Sequence, residues 1–193
     1  MSYLQAPPAD EKTAAIFEAV RSAFGFVPHF YQAQTARADF VELETRLTDA
    51  IIIQNGALTR QAREYLFLVC SASNLSTYCV TAHCEIVRLI GLEGPEPEQV
   101  AVDHMSTALP VRMKVLLNFA KKLTEHPTKV GSHDIDALRT YGYTDQQIME
   151  AVVIVGWAKF ANFVGFGLGL VPDFDSSKIL FQPGASEALS SIL

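Results

Sequence analysis

Cysteine is scarce in this chain, and clusters of positive charge are absent. Three cysteines stand among 193 residues, an odd number confined to one stretch, which excludes a disulfide framework. The 15 lysines and arginines never gather into a patch, so the electrostatic footprint of a nucleic-acid binder is missing. No run alternates apolar and polar residues in the manner of a half-buried strand. The opening MSYLQAPPADEKTAA has no basic segment leading into an apolar one, so secretion is not expected and a reducing cytoplasmic compartment is. With 49% hydrophobic and 19% charged residues there is ample material for one packed core, and extensive disorder is excluded.

What is present is helical periodicity from end to end. ADEKTAAIFEAVRSAFG reads as a first helix closed by Gly25, and GFVPHF as a connector, because Pro28 disfavours helix at Val27. A second helix is expected over Ala38–Ile53, ended by QNG. Thr59 is placed to cap a third, RQAREYLFLVCSAS, which Asn74 and Leu75 interrupt before Ser76 caps a fourth. EGPEPEQ is a loop into a short helix reaching His104, and Pro110 can open VRMKVLLNFAKKLTEH. Ser132 is placed to cap HDIDALRTYG, and Thr144 with Gln147 has the spacing of a capping box for the last long helix. These elements predict an all-α fold, a multi-helix bundle forming one domain over residues 1–193. Its helical core covers about 9–173. Residues 174–193 read as a tail with a weak terminal helix, in which Ile179, Leu180 and Phe181 need a surface to rest on.

One segment tests the soluble reading. AVVIVGWAKFANFVGFGLGL, Ala151–Leu170, is long enough to span a bilayer. Lys159 and Asn162 near its middle, three glycines in its last turns and the lack of a basic anchor favour a helix buried in a core or subunit interface. No membrane partner is expected.

The three cysteines fall in EYLFLVCSASNLSTYCVTAHCEIVRLIG, residues 64–91. With Ser76 as N-cap, Cys79 is in the first helical turn, where free N–H groups and the helix dipole favour an anion. A thiol there can ionise near neutral pH. His83 follows one turn later on the same face, within reach of the thiol directly or through a water. Glu64 heads an apolar run, where an unpaired carboxylate has a raised pKa suited to proton transfer. The plainer readings are that Cys79 is a small core residue, His83 a satisfied core histidine and Glu64 the partner of Arg60 or Arg63. Cys70 reads as core, and Cys84 lies too far around the helix from Cys79 for a disulfide. C-x3-H supplies only two ligands, so no metal is expected.

These residues carry a family likeness. Glu64, eleven intervening residues, then S-T-Y-C-V-T-A-H resembles the core of the alkylhydroperoxidase D-like, carboxymuconolactone decarboxylase superfamily. Its peroxidase members carry E-x11-C-x2-C-x3-H, often within N-x-C-x-Y-C-x-x-A-H. Asn74, Tyr78, Cys79, Ala82, His83 and Gly91 fall in register, and the likeness extends over about residues 10–173, in the manner of the uncharacterised peroxidase-related branch. The resemblance implies a thiol-dependent alkylhydroperoxidase with no flavin, haem or metal, in which Cys79 attacks the peroxide and His83 and Glu64 relay protons. It also implies a homo-oligomer, a trimer or a hexamer. Ser76 stands where the family has its first cysteine and cannot resolve a sulfenic acid, so after reaction with a peroxide substrate the sulfenate would meet an external thiol reductant, another subunit's cysteine or over-oxidation. Two other classes stay open: a decarboxylase-like lyase using Arg60, Arg63 or Lys159 to hold an anionic substrate, and a non-catalytic oligomeric relic of the fold.

Overall fold

The computed structural model describes residues 2–174; the expected terminal helix and the apolar tail residues lie outside the described residues. The described chain is helical throughout its regular structure: α1 (Glu11–Phe24), α2 (His29–Gln32), α3 (Ala38–Thr48), α4 (Arg60–Ser73), α5 (Thr77–Leu89), α6 (Pro97–Asp103), α7 (Val111–Glu125), α8 (Ser132–Thr140) and α9 (Asp145–Leu168). The all-α expectation holds.

Helix starts follow local chemistry. Asp10, Thr59 and Thr144 each accept a hydrogen bond from a backbone N–H of the first turn, at 2.7, 3.2 and 3.2 Å. Gln147 closes the box by accepting the Thr144 N–H at 3.1 Å. Two expected boundaries are corrected. Ser132 is the first residue of α8 rather than its cap, and Asp134 reaches back to accept the Gly131 N–H at 2.9 Å. The helix expected to run to Ile53 ends at Thr48 and widens into a π turn over Asp49–Ile53. Such turns displace side chains from the regular register and recur at functional sites.

The centre of the bundle is α4, which packs against α5, α6, α7 and α9. Every residue from Ala62 to Ser71 is buried, because neighbours cover all its faces; Leu66 to Cys70 are continuously apolar, and the buried Arg63 and Glu64 each bond a polar partner. Each fully buried Leu or Phe contributes about 1.5–3 kcal/mol, so α4 anchors the fold. One face of α9, with Ile148, Ala151, Ile154, Ala158 and Ala161, is buried. Its other face leaves Met149, Val152, Val153, Phe160, Phe163 and Phe166 exposed. The helix is long and apolar enough to cross a membrane by length and composition, yet in this fold it closes the bundle against α4 and α7.

Candidate active site

The turn between α4 and α5 sets the site. Leu75 adopts φ 58°, the left-handed region a side chain rarely enters, and this reverses the chain so that α5 runs back along α4. Ser76 occupies the N-cap position of α5 as expected, putting Cys79 in the first turn, but the Ser76 side chain makes no capping hydrogen bond.

Glu64, Cys79 and His83 line one cavity of about 360 Å³, together with Arg60, Tyr78 and a largely apolar wall that includes Phe30, Phe67 and Trp157. The π turn contributes Ile52 and Ile53 to the same wall. Glu64 is fully buried. His83 Nδ1 lies 2.6 Å from Glu64 Oε2, and Arg60 Nε donates to Oε1 at 2.7 Å. Burial pushes the Glu64 carboxyl upward, but His83 and Arg60 outweigh it and hold it below the ordinary range. The raised carboxyl anticipated for an unpaired Glu64 is therefore corrected: the pairing with Arg60 offered as the plainer reading is present, and His83 joins it. An ionised carboxylate only accepts, so Nδ1 carries a proton and donates it to Glu64, which leaves Nε2 as the ring nitrogen free of that bond. The ring is further held by Phe67, stacked at 3.8 Å between centroids.

Cys79 is 4% exposed. Burial pushes its thiol up, while the side chains of Ser76, Asn162 and Ser71 pull it back without cancelling the rise. The expectation of a thiol acidified by the helix start is corrected, because removal from water outweighs the dipole of one helix. Burial also pushes Cys70 up to about 11 and Cys84 up to about 12; all three thiols are buried and unpaired as disulfides.

Two features were not read from the sequence. Tyr78 donates its hydroxyl hydrogen to Asp173 Oδ2 at 2.7 Å and accepts the Phe30 N–H at 2.9 Å. Asp173 also accepts the His29 N–H at 3.0 Å, so the segment after α9 is tied to the start of α2, whose first two residues the sequence places in a connector. Asn162 is fully buried beside Cys79; an amide placed mid-way along an apolar helix was the signal. Of the three cations considered for anion binding, only Arg60 lines the cavity. Arg63 bonds the Gln54 carbonyl oxygen, and Lys159 donates to Thr124 O at 2.5 Å. Among the described residues no three His, Cys, Asp or Glu side chains gather as metal ligands.

No protein-family model and no curated protein matches the sequence. Solved structures do. An alkylhydroperoxidase AhpD core, an uncharacterized peroxidase-related protein from Ralstonia eutropha JMP134, is 27% identical, with a TM-score of 0.83 over 91% of this chain and 94% of that one. An uncharacterized peroxidase-related protein from Silicibacter sp. TM1040 is 24% identical, with a TM-score of 0.83 over 89% and 92%. The fold is also shared with a cysteine-to-alanine variant of the debrominase Bmp8 in complex with 2,3,4-tribromopyrrole, at 16% identity and a TM-score of 0.74 over both whole chains. The helical architecture and these likenesses show the alkylhydroperoxidase D-like fold, and the likeness to the Ralstonia protein supports that superfamily for this chain.

Proposed function

We propose that the protein is a thiol-dependent peroxidase that reduces an organic hydroperoxide through Cys79 alone. The observation that carries this reading is the convergence of Cys79, His83 and Glu64 on one largely apolar cavity of about 360 Å³. His83 Nε2 takes the thiol proton through a water, and Glu64 steadies the imidazolium that forms. The thiolate attacks the terminal peroxide oxygen. A sulfur–oxygen bond forms as the O–O bond breaks, and His83 returns the proton to the departing alkoxide, which leaves as the alcohol. Cys79 is then a sulfenic acid. With Ser76 in place of a resolving thiol, one external thiol condenses with it and releases water, and a second displaces Cys79 as the thiol.

The apolar wall supports an organic peroxide over hydrogen peroxide, and the exposed apolar face of α9 supports the homo-oligomer that the resemblance implies. A decarboxylase-like lyase has less support. Its substrate carboxylate would meet only Arg60, already bonded to Glu64.

Intact-mass spectrometry after seconds in dilute cumene hydroperoxide, with and without a sulfenic-acid trap, tests the reading. One oxygen gained by the wild type and not by Cys79→Ser is expected. Oxidation of Cys79 no faster than that of a free thiol would overturn it.

A further inference from the structure

Short contacts from several elements hold a carboxylate in the cavity wall. The Tyr78 hydroxyl donates to Asp173 Oδ2 at 2.7 Å, and His29 Nδ1 lies 3.0 Å from Asp173 Oδ1. The same ring nitrogen lies 2.9 Å from Val171 O, and the Phe26 and Phe174 rings meet edge to face at 5.3 Å between centroids. Residues 171–174 are thereby fixed against the start of α2, and the Asp173 side chain is only 6% exposed. Asp173, Tyr78, Phe26 and Phe174 all line the cavity that holds Cys79.

Charge counting gives this wall a sign. Among the described residues, the groups that bond Asp173 are a phenol, a backbone N–H and an imidazole, with no lysine or arginine. Arg60 is the cation in the wall, and Glu64 opposes it at 2.7 Å. The proton-accepting role given to His83 requires a neutral ring. Arg60, Glu64 and Asp173 then set one positive charge against two negative ones. Arg60 keeps further N–H groups, so an entering carboxylate would find a donor, but no net positive charge. Most of the remaining wall is aliphatic or aromatic, with Ile52, Ile86 and Trp157 among it, and offers nothing to a desolvated anion. An uncharged ligand loses little on entry. A carboxylate loses its water and meets like charge where the dielectric is low, which is a general means of rejecting a wrong ligand.

We propose that Asp173 determines specificity by charge, excluding hydroperoxides that carry a carboxylate and leaving the cavity to uncharged ones. For the reacting group this rests on the peroxidase reading through Cys79. The selection by charge belongs to the wall itself and holds for any ligand of the cavity.

Trp157 is the single tryptophan of the chain and lines the cavity, so its fluorescence reports occupancy. The whole chain is titrated at about pH 8, where a carboxylate is fully ionised, with two probes that lack an O–O bond. One is cumyl alcohol bearing a para carboxylate, and the other is the methyl ester of that acid. Wild type is expected to bind the ester about 100-fold tighter than the acid. Asp173→Asn should narrow that ratio about tenfold, and Asp173→Glu, which keeps the charge, should hold it within about twofold. Equal affinities in the wild type would overturn the proposal, as would failure of the ester to bind. So would an unmoved ratio in Asp173→Asn, the result of a purely structural tie to α2. A ratio that narrows equally in both variants would also overturn it, as a loosened segment rather than a lost charge. A charge-selective cavity around a peroxide-inert Cys79 would sink the peroxidase reading alone. An unselective cavity around a peroxide-reactive Cys79 would sink this proposal alone.

Discussion

Glu64 and Glu44 are both buried carboxylates, at 0% and 6% exposure, yet their acidities move in opposite directions. At Glu64, Arg60 and His83 overcome burial and the carboxyl is held low. At Glu44, on α3, burial wins and pushes the carboxyl up to about 7, against the pull of one neutral amide, Gln34, which donates at 2.8 Å. Removal from water sets the cost in both places, and the charge of the partner decides who bears it. The contrast sets a charge-compensated carboxylate in the wall of the cavity against one on α3 that burial alone dominates.

The comparison breaks most visibly at Glu64. Glu64→Leu leaves Arg60 and His83 facing an apolar side chain, and a loss of about 3 kcal/mol is expected in urea unfolding, less than for a pair shut wholly from water because Arg60 is partly exposed. Oxidation of Cys79 by cumene hydroperoxide should fall about 100-fold, since His83 loses both its orientation and its counter-charge. Retained peroxide reactivity in a folded Glu64→Leu protein would remove Glu64 from the relay.

Glu44 should give the opposite sign. Its folded pKa is raised, so the unfolded chain ionises first as pH climbs from about 4.5 to about 7, and stability is lost over that window. Glu44→Gln keeps an oxygen to accept from Gln34 and has nothing to ionise. It should gain about 1–2 kcal/mol at neutral pH, discounted for solvent screening, and flatten the pH dependence. Melting temperatures of both proteins at about pH 5 and pH 8 check it. Equal stabilities at the higher pH would mean that Glu44 is solvated.

Much of this was legible in the sequence, and the reasons for the rest are physical. The caps at Thr59 and Thr144 and the Asn74–Leu75 break are encoded within a few residues, so they were read correctly. The helix pair bearing Glu64, Cys79 and His83 was placed for the same reason: its turn is short and its face pattern continuous. The π turn after Thr48 was missed because nothing in DAIII differs from an ordinary apolar last turn; contacts with α3, α4 and α9 surround it. The acidity of Cys79 was misjudged because a helix start is visible locally, whereas burial under α9 is not. Asn162 and Asp173 lie more than 80 positions along the chain from Cys79, and only the fold brings them near.

The smallest and sharpest change is Arg60→Gln, which takes the guanidinium from Glu64 and leaves the His83 hydrogen bond. Glu64 has a depressed folded pKa, so its contribution to stability is present above the unfolded value and disappears as pH falls through the folded one. With Arg60 replaced by a neutral donor, the folded value rises and the acid loss begins at a higher pH. The neutral-pH cost should be about 1 kcal/mol, because Arg60 is partly solvated and the His83 bond at 2.6 Å survives. Acid unfolding midpoints measure the shift, and an upward move is the expected result. An unmoved midpoint would mean that His83 alone holds the carboxylate. The contrast with Glu44 would then rest on one imidazole rather than on the imidazole and the guanidinium together.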